Sequence, residues 1–128
     1  RLDEFVIKRH VIAERYDYLL NDLPVTKPWQ NEDSYSAFHL YVIRLRLKEI
    51  GKTRKEIFDA LRASGIGVNV HYIPVYQQPY YLRLGFNKEQ YPNAEKYYME
   101  AISLPIYPAL TVSQQDDIVG ILTTICTK

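Results

Sequence analysis

The hydrophobic pattern predicts an amphipathic helix at the start of the chain. Between residues 2 and 20, apolar side chains recur at the three- and four-residue spacing that places them on one helical face. These residues are Leu2, Phe5, Val6, Ala13, Tyr16, Leu19 and Leu20. A second apolar line, Ile7, Val11 and Tyr18, falls on roughly the opposite side. Two apolar faces imply a second body, either another domain or a partner subunit, although three scattered apolar residues exposed to water are also ordinary.

Three further segments have the pattern of strands. Residues 21–36 are polar and read as a long loop, after which residues 37–47 alternate and give the best strand. Residues 66–72 predict a second strand, and residues 102–104 a third, short one.

The remaining helices are indicated by their ends as well as by their apolar stripes. Thr53 and Glu56 have the spacing of a capping box before a helix that Gly65 ends. Residues 92–101 predict a short helix, and residues 113–126 a final helix capped by Thr111 or Ser113.

The order of these elements predicts an α/β fold of the α+β sandwich type. Helices alternate with short strands, so we expect a small sheet of about three strands covered by helices. At 128 residues and 47% hydrophobic composition, residues 1–128 should form a single domain. The chain begins at Arg1, inside the first predicted helix, which suggests a fragment or a processed product.

Composition narrows the function classes. Sixteen basic and fifteen acidic residues are mixed along the chain, so attraction to nucleic acid or to a membrane has little electrostatic support. The single cysteine, Cys126, cannot form an internal disulfide, and no signal-like or membrane-length apolar run occurs. We therefore expect a soluble, cytoplasmic protein.

Candidate chemistry is concentrated between residues 65 and 80, where a predicted strand leads into a loop rich in rings. The side chains there are His71, Tyr72, Pro74, Tyr76, Pro79 and Tyr80. The three histidines lack the spacing of a zinc site, and no nucleophile or phosphate-binding motif occurs. His71 is either bonded to backbone at the rim of the sheet or, with Asn69, faces a polar ligand. The residues alone leave both interpretations open.

Several motifs in series resemble the C-terminal domain of nucleotide-sugar aminotransferases of the DegT/DnrJ/StrS class. The resemblance runs from about residue 1 to residue 125. Its motifs are residues 36–45 (SAFHLYVIRL), 65–75 (GIGVNVHYIPV), 78–81 (QPYY), 84–86 (LGF), 91–95 (YPNAE) and 101–108 (AISLPIYP). Within the class, the chain is most similar to the transaminases that make UDP-4-amino-4,6-dideoxy-N-acetyl-L-altrosamine, a pseudaminic acid precursor.

The resemblance implies a fold, and it implies that the cofactor is bound by a different domain of the enzyme. The fold would be the C-terminal small domain of a fold-type I aminotransferase that uses pyridoxal phosphate (PLP). In this class, a large N-terminal domain holds PLP through a Schiff-base lysine. None of the eight lysines here has the matching context, so this chain alone should bind no cofactor and be inactive. The parent enzyme would be a homodimer that takes a nucleotide sugar and an amino-acid donor.

The resemblance also implies substrate-binding residues. The four consecutive residues from His71 to Pro74 match the segment that approaches the sugar nucleotide. These four are His71, Tyr72, Ile73 and Pro74, and further candidates are Asn69, Gln78 and Tyr80. They would orient a UDP-linked 4-keto-6-deoxy sugar, with no catalytic residue in this chain. Two alternatives stay open: a PLP-dependent nucleotide-sugar dehydratase of the same class, and a free-standing tyrosine-rich module that stacks on nucleobases.

Overall fold

The computed structural model describes residues 1–127 and confirms the predicted combination of a small sheet and helices. Its elements, in chain order, are α1 (Leu2–Leu19), β1 (Val25–Thr26), β2 (Tyr41–Leu45), α2 (Leu47–Ile50), α3 (Arg54–Ala63), α4 (Pro79–Arg83), α5 (Pro92–Glu100), β3 (Ala101–Leu104) and α6 (Val112–Cys126). Two single turns of 3₁₀-helix, Val75–Gln77 and Lys88–Gln90, flank α4.

The three strands form an antiparallel sheet in the order β1-β2-β3. Tyr41 pairs with Leu104 at one end of the β2–β3 ladder, and Arg44 pairs with Ala101 at the other. The predicted alternation is confirmed within β2: Tyr41, Ile43 and Leu45 share one face, and they are fully buried because that face packs on the core. The predicted strand was too long at both ends. Residues 37–40 precede the ladder, and α2 begins at Leu47.

The strand predicted at residues 66–72 is wrong. Only Asn69 pairs with the sheet, through an isolated bridge to Ser103. The Val68 amide donates to the Ile66 carbonyl at 2.9 Å, and this local turn removes it from any ladder. The sheet instead contains β1, a strand of only two residues, which lies within the segment predicted to be a loop.

The hydrophobic core lies between the inner face of the sheet and helices α1, α3 and α6. Ile12, Ala13, Tyr16 and Leu20 are the buried residues of α1 and of the turn that follows it. The second apolar line is exposed. Ile7, Val11 and Tyr18 keep 58%, 60% and 81% of their accessible surface. The second domain or subunit expected to cover them stays a prediction. Leu2 and Phe5, which were predicted to lie on the main apolar face of α1, are also exposed.

Two buried tyrosines fasten α1 to the rest of the fold. The Tyr41 hydroxyl donates to Asp17 Oδ1 at 2.6 Å, and the Tyr16 hydroxyl donates to the Pro105 carbonyl at 2.9 Å. Their rings are in contact, with centroids 4.9 Å apart. Burial raises the pKa of both tyrosines well above the ordinary value, and at Tyr41 the bond to Asp17 adds to the effect.

The predicted helix ends are confirmed. Thr53 accepts from the Glu56 amide and the Glu56 carboxylate accepts from the Thr53 amide, which completes a capping box. Thr111 forms the same arrangement with Gln114 at the start of α6. After α3 the chain turns at Gly65 with φ +81°, a conformation that favours glycine. No helix within residues 1–127 is both long and apolar enough to cross a membrane.

Candidate functional site

His71 lies where the chain leaves the edge of β3. Its Nδ1 is 2.9 Å from Ser103 Oγ, in the middle of that strand. The backbones of Asn69 and Ser103 exchange two hydrogen bonds, of 2.8 and 3.3 Å, which bring this segment against the sheet. The Tyr72 ring meets the imidazole edge-on, with centroids 4.6 Å apart. His71 is therefore at the rim of the sheet, as one interpretation held, but its partner is a side chain and not the backbone.

A cavity of about 550 Å³ opens beside His71, and we call it the histidine cavity. Its polar side chains come from four parts of the chain. They are His39, Asn69, His71, Ser103, Tyr107, Gln114 and Asp117. Gly65 and Gly67 form part of its wall, and a Cβ atom added at either glycine would meet nothing within 4 Å. The arrangement can present several hydrogen-bonding groups to a small polar ligand.

A smaller groove of about 380 Å³ is also lined by His71, and we call it the tyrosine groove. Its wall is mostly apolar and aromatic. The lining consists of Val70, His71, Tyr72, Pro74, Ala94, Tyr97, Tyr98 and Ala101. The Arg54 guanidinium lies over the Tyr98 ring, 4.6 Å from its centroid. Because His71 lines both spaces, one ligand in contact with the imidazole could reach a polar surface and an aromatic one.

The structure brings together four of the seven predicted binding residues. Asn69 and His71 line the histidine cavity, whereas Tyr72 and Pro74 line the tyrosine groove with His71. Tyr72 is 75% exposed, so most of its ring is free for contact.

The other three predicted residues lie apart from both spaces. Ile73 is exposed and contributes to a separate pocket beside α3. Gln78 precedes α4, where its carbonyl accepts from the Leu82 amide at 3.0 Å. Tyr80 is exposed, and its ring packs edge-on against Tyr81. The binding roles of Ile73, Gln78 and Tyr80 stay predictions.

The loop after His71 is braced against α5. The Tyr76 hydroxyl donates to Glu95 Oε1 at 2.8 Å, and the side-chain Nε2 of Gln77 donates to the same oxygen. The Tyr76 ring stacks on Tyr91, with centroids 4.4 Å apart. Desolvation, followed by the bond to Glu95 and the charge of that carboxylate, raises the pKa of Tyr76 to about 12. Tyr76 therefore holds the loop in place in its protonated form.

Ser103 belongs to the candidate site, and the sequence prediction missed it. It retains 4% of its accessible surface and stands between Ile102 and Leu104, which are also buried. A hydroxyl inside a buried apolar strand normally has a specific partner, and this was the available signal. His39 and Asp117 were missed as well, because nothing in the spacing connects them with His71.

The residues around His71 do not fit PLP on their own. Neither the histidine cavity nor the tyrosine groove is lined by a lysine or an arginine. A lysine would be needed to form the Schiff base with PLP, and a lysine or an arginine commonly neutralises a bound phosphate. A metal site is not supported either, because no group of three or more His, Cys, Asp or Glu within residues 1–127 could hold an ion.

Residues 1–123 match the DegT/DnrJ/EryC1/StrS aminotransferase family. The chain belongs to this family. Among curated proteins, the Bacillus subtilis spore coat polysaccharide biosynthesis protein SpsC is 38% identical over 122 residues, which are 93% of this chain and 31% of SpsC. The DegT/DnrJ/EryC1/StrS resemblance seen in the sequence is thereby confirmed at the level of the family.

Solved structures agree with this assignment. The apo form of the putative sugar aminotransferase Spr1654 from Streptococcus pneumoniae superimposes with a TM-score of 0.88 at 28% identity, over 98% of this chain and 32% of that one. Helicobacter pylori PseC, an aminotransferase involved in pseudoaminic acid biosynthesis, gives a TM-score of 0.84 at 31% identity, over 95% of this chain and 33% of PseC. Spr1654 has also been solved with PLP and with its aminated form, PMP. The chain thus spans about a third of the length of SpsC, Spr1654 and PseC.

Proposed function

We propose that this chain is the C-terminal small domain of a PLP-dependent nucleotide-sugar aminotransferase and forms the substrate-side wall of its active site. The observation that carries the proposal is the placement of His71, which is bonded to Ser103 and lines both a polar cavity and an aromatic groove, neither of which is lined by a lysine or an arginine. Such a wall can bind and orient a substrate, whereas PLP, bound elsewhere in the enzyme, supplies the chemistry of amino transfer.

Each residue of the wall has a distinct part in this proposal. The His71 imidazole forms a hydrogen bond with an oxygen of the sugar nucleotide, and the Asn69 amide offers a second polar contact. Tyr72 and Pro74 provide ring contacts along the tyrosine groove. Fixing the sugar in this way lowers the entropic cost of bringing its keto carbon to the reacting nitrogen.

The proposed substrate is a UDP-linked 4-keto-6-deoxy sugar of the pseudaminic acid pathway, with an amino acid as donor. The similarity to PseC, at 31% identity and a TM-score of 0.84, supports this substrate class. We also propose a homodimeric parent enzyme, because the exposed apolar line of α1 is the kind of surface that a second domain or subunit covers.

The test uses the longer reading frame that contains this chain, expressed whole and loaded with PLP. The two half-reactions are followed separately by the absorbance of the cofactor, first with the amino-acid donor and then with the UDP-4-keto sugar. Replacing His71 by alanine should lower kcat/KM for the sugar half-reaction at least tenfold, since a lost hydrogen bond of about 1.4 kcal/mol has that effect. The donor half-reaction should be unchanged.

His10→Gln is the matched control, because His10 is a histidine outside both spaces that stacks on Tyr35. This variant should retain both half-reactions. The proposal is wrong if the reading frame encodes no domain with a Schiff-base lysine, or if His71→Ala and His10→Gln behave alike. The substrate assignment alone is wrong if the enzyme aminates other nucleotide sugars and not this one.

A further inference from the structure

Ser103 is buried, with 4% of its surface accessible, and its side chain forms one hydrogen bond within residues 1–127. Its backbone is already paired with Asn69 on one side and with Val42 on the other. Its hydroxyl has one hydrogen-bond partner within residues 1–127, the Nδ1 atom of His71 at 2.9 Å. Since a buried hydroxyl without a partner costs free energy, this contact accounts for a serine in a strand whose neighbours are apolar.

The contact determines which ring nitrogen of His71 carries the proton. A serine hydroxyl can donate or accept, so the distance alone allows two tautomers. If Nδ1 carried the proton, Ser103 would accept, and its own hydrogen would have no protein acceptor within residues 1–127. If Ser103 donates to Nδ1, both groups are satisfied and the proton of the neutral ring resides on Nε2. Burial of Ser103 therefore favours the second arrangement.

The opposite nitrogen, Nε2, is available for a ligand. Within residues 1–127 it makes no hydrogen bond, and it is not among the buried polar atoms without a partner. The edge-on contact with the Tyr72 ring restricts rotation of the imidazole. We infer that Ser103 is a positioning residue that fixes His71 as the Nε2–H tautomer, so that Nε2–H donates to an acceptor oxygen of the bound nucleotide sugar. Only the identity of that ligand rests on the proposed function.

The first arm of the test needs no substrate. Long-range ¹H–¹⁵N NMR of this chain, at a pH where the ring is neutral, reports which nitrogen of His71 carries the proton. The expected result is a single Nε2–H form, with Nδ1 shifted as a hydrogen-bond acceptor. In Ser103→Ala that acceptor shift should vanish and a second tautomer should appear, whereas Ser103→Thr should restore the original spectrum because it keeps the hydroxyl.

The second arm uses the holoenzyme and its sugar half-reaction. Ser103→Ala should lower kcat/KM for the sugar about tenfold, with the donor half-reaction unchanged and with rescue by Ser103→Thr. Thr124→Ala is the matched control, because it removes a hydroxyl that bonds only to the Gly120 carbonyl within α6. Amide spectra of every variant establish that the fold is retained.

The outcomes separate this inference from the proposed function. A neutral Nδ1–H ring in the unmodified chain overturns the inference, and so does a tautomer that is indifferent to Ser103→Ala. A positive NMR result with no aminotransferase activity in the parent enzyme leaves the tautomer assignment standing and refutes the function. Full sugar activity in Ser103→Ala refutes the positioning role while the aminotransferase assignment stands.

Discussion

Replacing Tyr41 by phenylalanine tests whether the bond between β2 and α1 stabilises the fold. The Tyr41 side chain is fully buried, and its hydroxyl donates to the partly buried carboxylate of Asp17 at 2.6 Å. Hydrogen bonds to charged groups contribute about 1.5–3 kcal/mol. Because Asp17 can be rehydrated in the variant, we expect a loss of about 2 kcal/mol in the free energy of unfolding.

That loss translates into a measurable change in melting temperature. An unfolding entropy of about 2.1 cal/mol/K per residue gives about 0.27 kcal/mol/K for a chain of 128 residues, and hence a decrease in Tm of about 7 °C. Tyr16→Phe is the matched control. Its hydroxyl bonds to a neutral carbonyl, so the expected loss is about 1 kcal/mol. Urea titrations followed by circular dichroism measure both values.

A double-mutant cycle with Asp17→Asn isolates the contribution of the charge. Asparagine keeps an acceptor oxygen, so Tyr41→Phe should cost about 1 kcal/mol less in that background. The folded state also holds the Tyr41 proton more tightly than the unfolded state does, so stability should fall as pH rises above the ordinary tyrosine pKa of 10.0. The reasoning is refuted if Tyr41→Phe costs no more than Tyr16→Phe, or the same amount with and without the Asp17 charge.

Three further predictions concern single side chains. Burial raises the pKa of Cys126 from 9.0 to about 11, so the folded state retains the thiol proton. Stability from this source is present below pH 9 and lost between about pH 9 and 11, and urea titrations of Cys126→Ala should show a smaller loss across that window. Tyr76→Phe removes the bond to Glu95 and should increase amide hydrogen exchange in the loop after His71 without lowering Tm. An unchanged exchange pattern would show that the bond to Glu95 does not hold this loop. Thr111→Ala removes the capping hydroxyl of α6 and should cost about 1 kcal/mol in a urea titration, whereas Thr111→Ser should cost little.

Local signals were sufficient to predict the longer helices α1, α3, α5 and α6, whereas the short helices α2 and α4 were not predicted. The capping boxes that begin with Thr53 and Thr111 involve residues three apart, so a single sequence contains all the information needed to find them. The alternation predicted for residues 37–47 was likewise correct within β2, where Tyr41, Ile43 and Leu45 share the buried face.

Contacts between distant segments could not be predicted in the same way. The segment after Gly65 has the composition of a strand, yet a local hydrogen bond from Val68 competes with the ladder. The strand β1 has only two residues, which are too few to show the alternation of apolar and polar side chains by which a strand is predicted. The partners His71 and Ser103 are 32 residues apart, and only the three-dimensional structure brings them together.

The missing side chain of Gly67 has a consequence for enzyme engineering. This residue forms part of the wall of the histidine cavity, and an added Cβ there would meet no atom within 4 Å. Its φ angle is not in the left-handed region, so the backbone tolerates other residues. Substitutions of increasing volume, from alanine to valine, can therefore reduce the cavity in steps with little strain in the fold. If the site binds a sugar as proposed, Gly67 is the position at which to begin changing the size of sugar that it accepts.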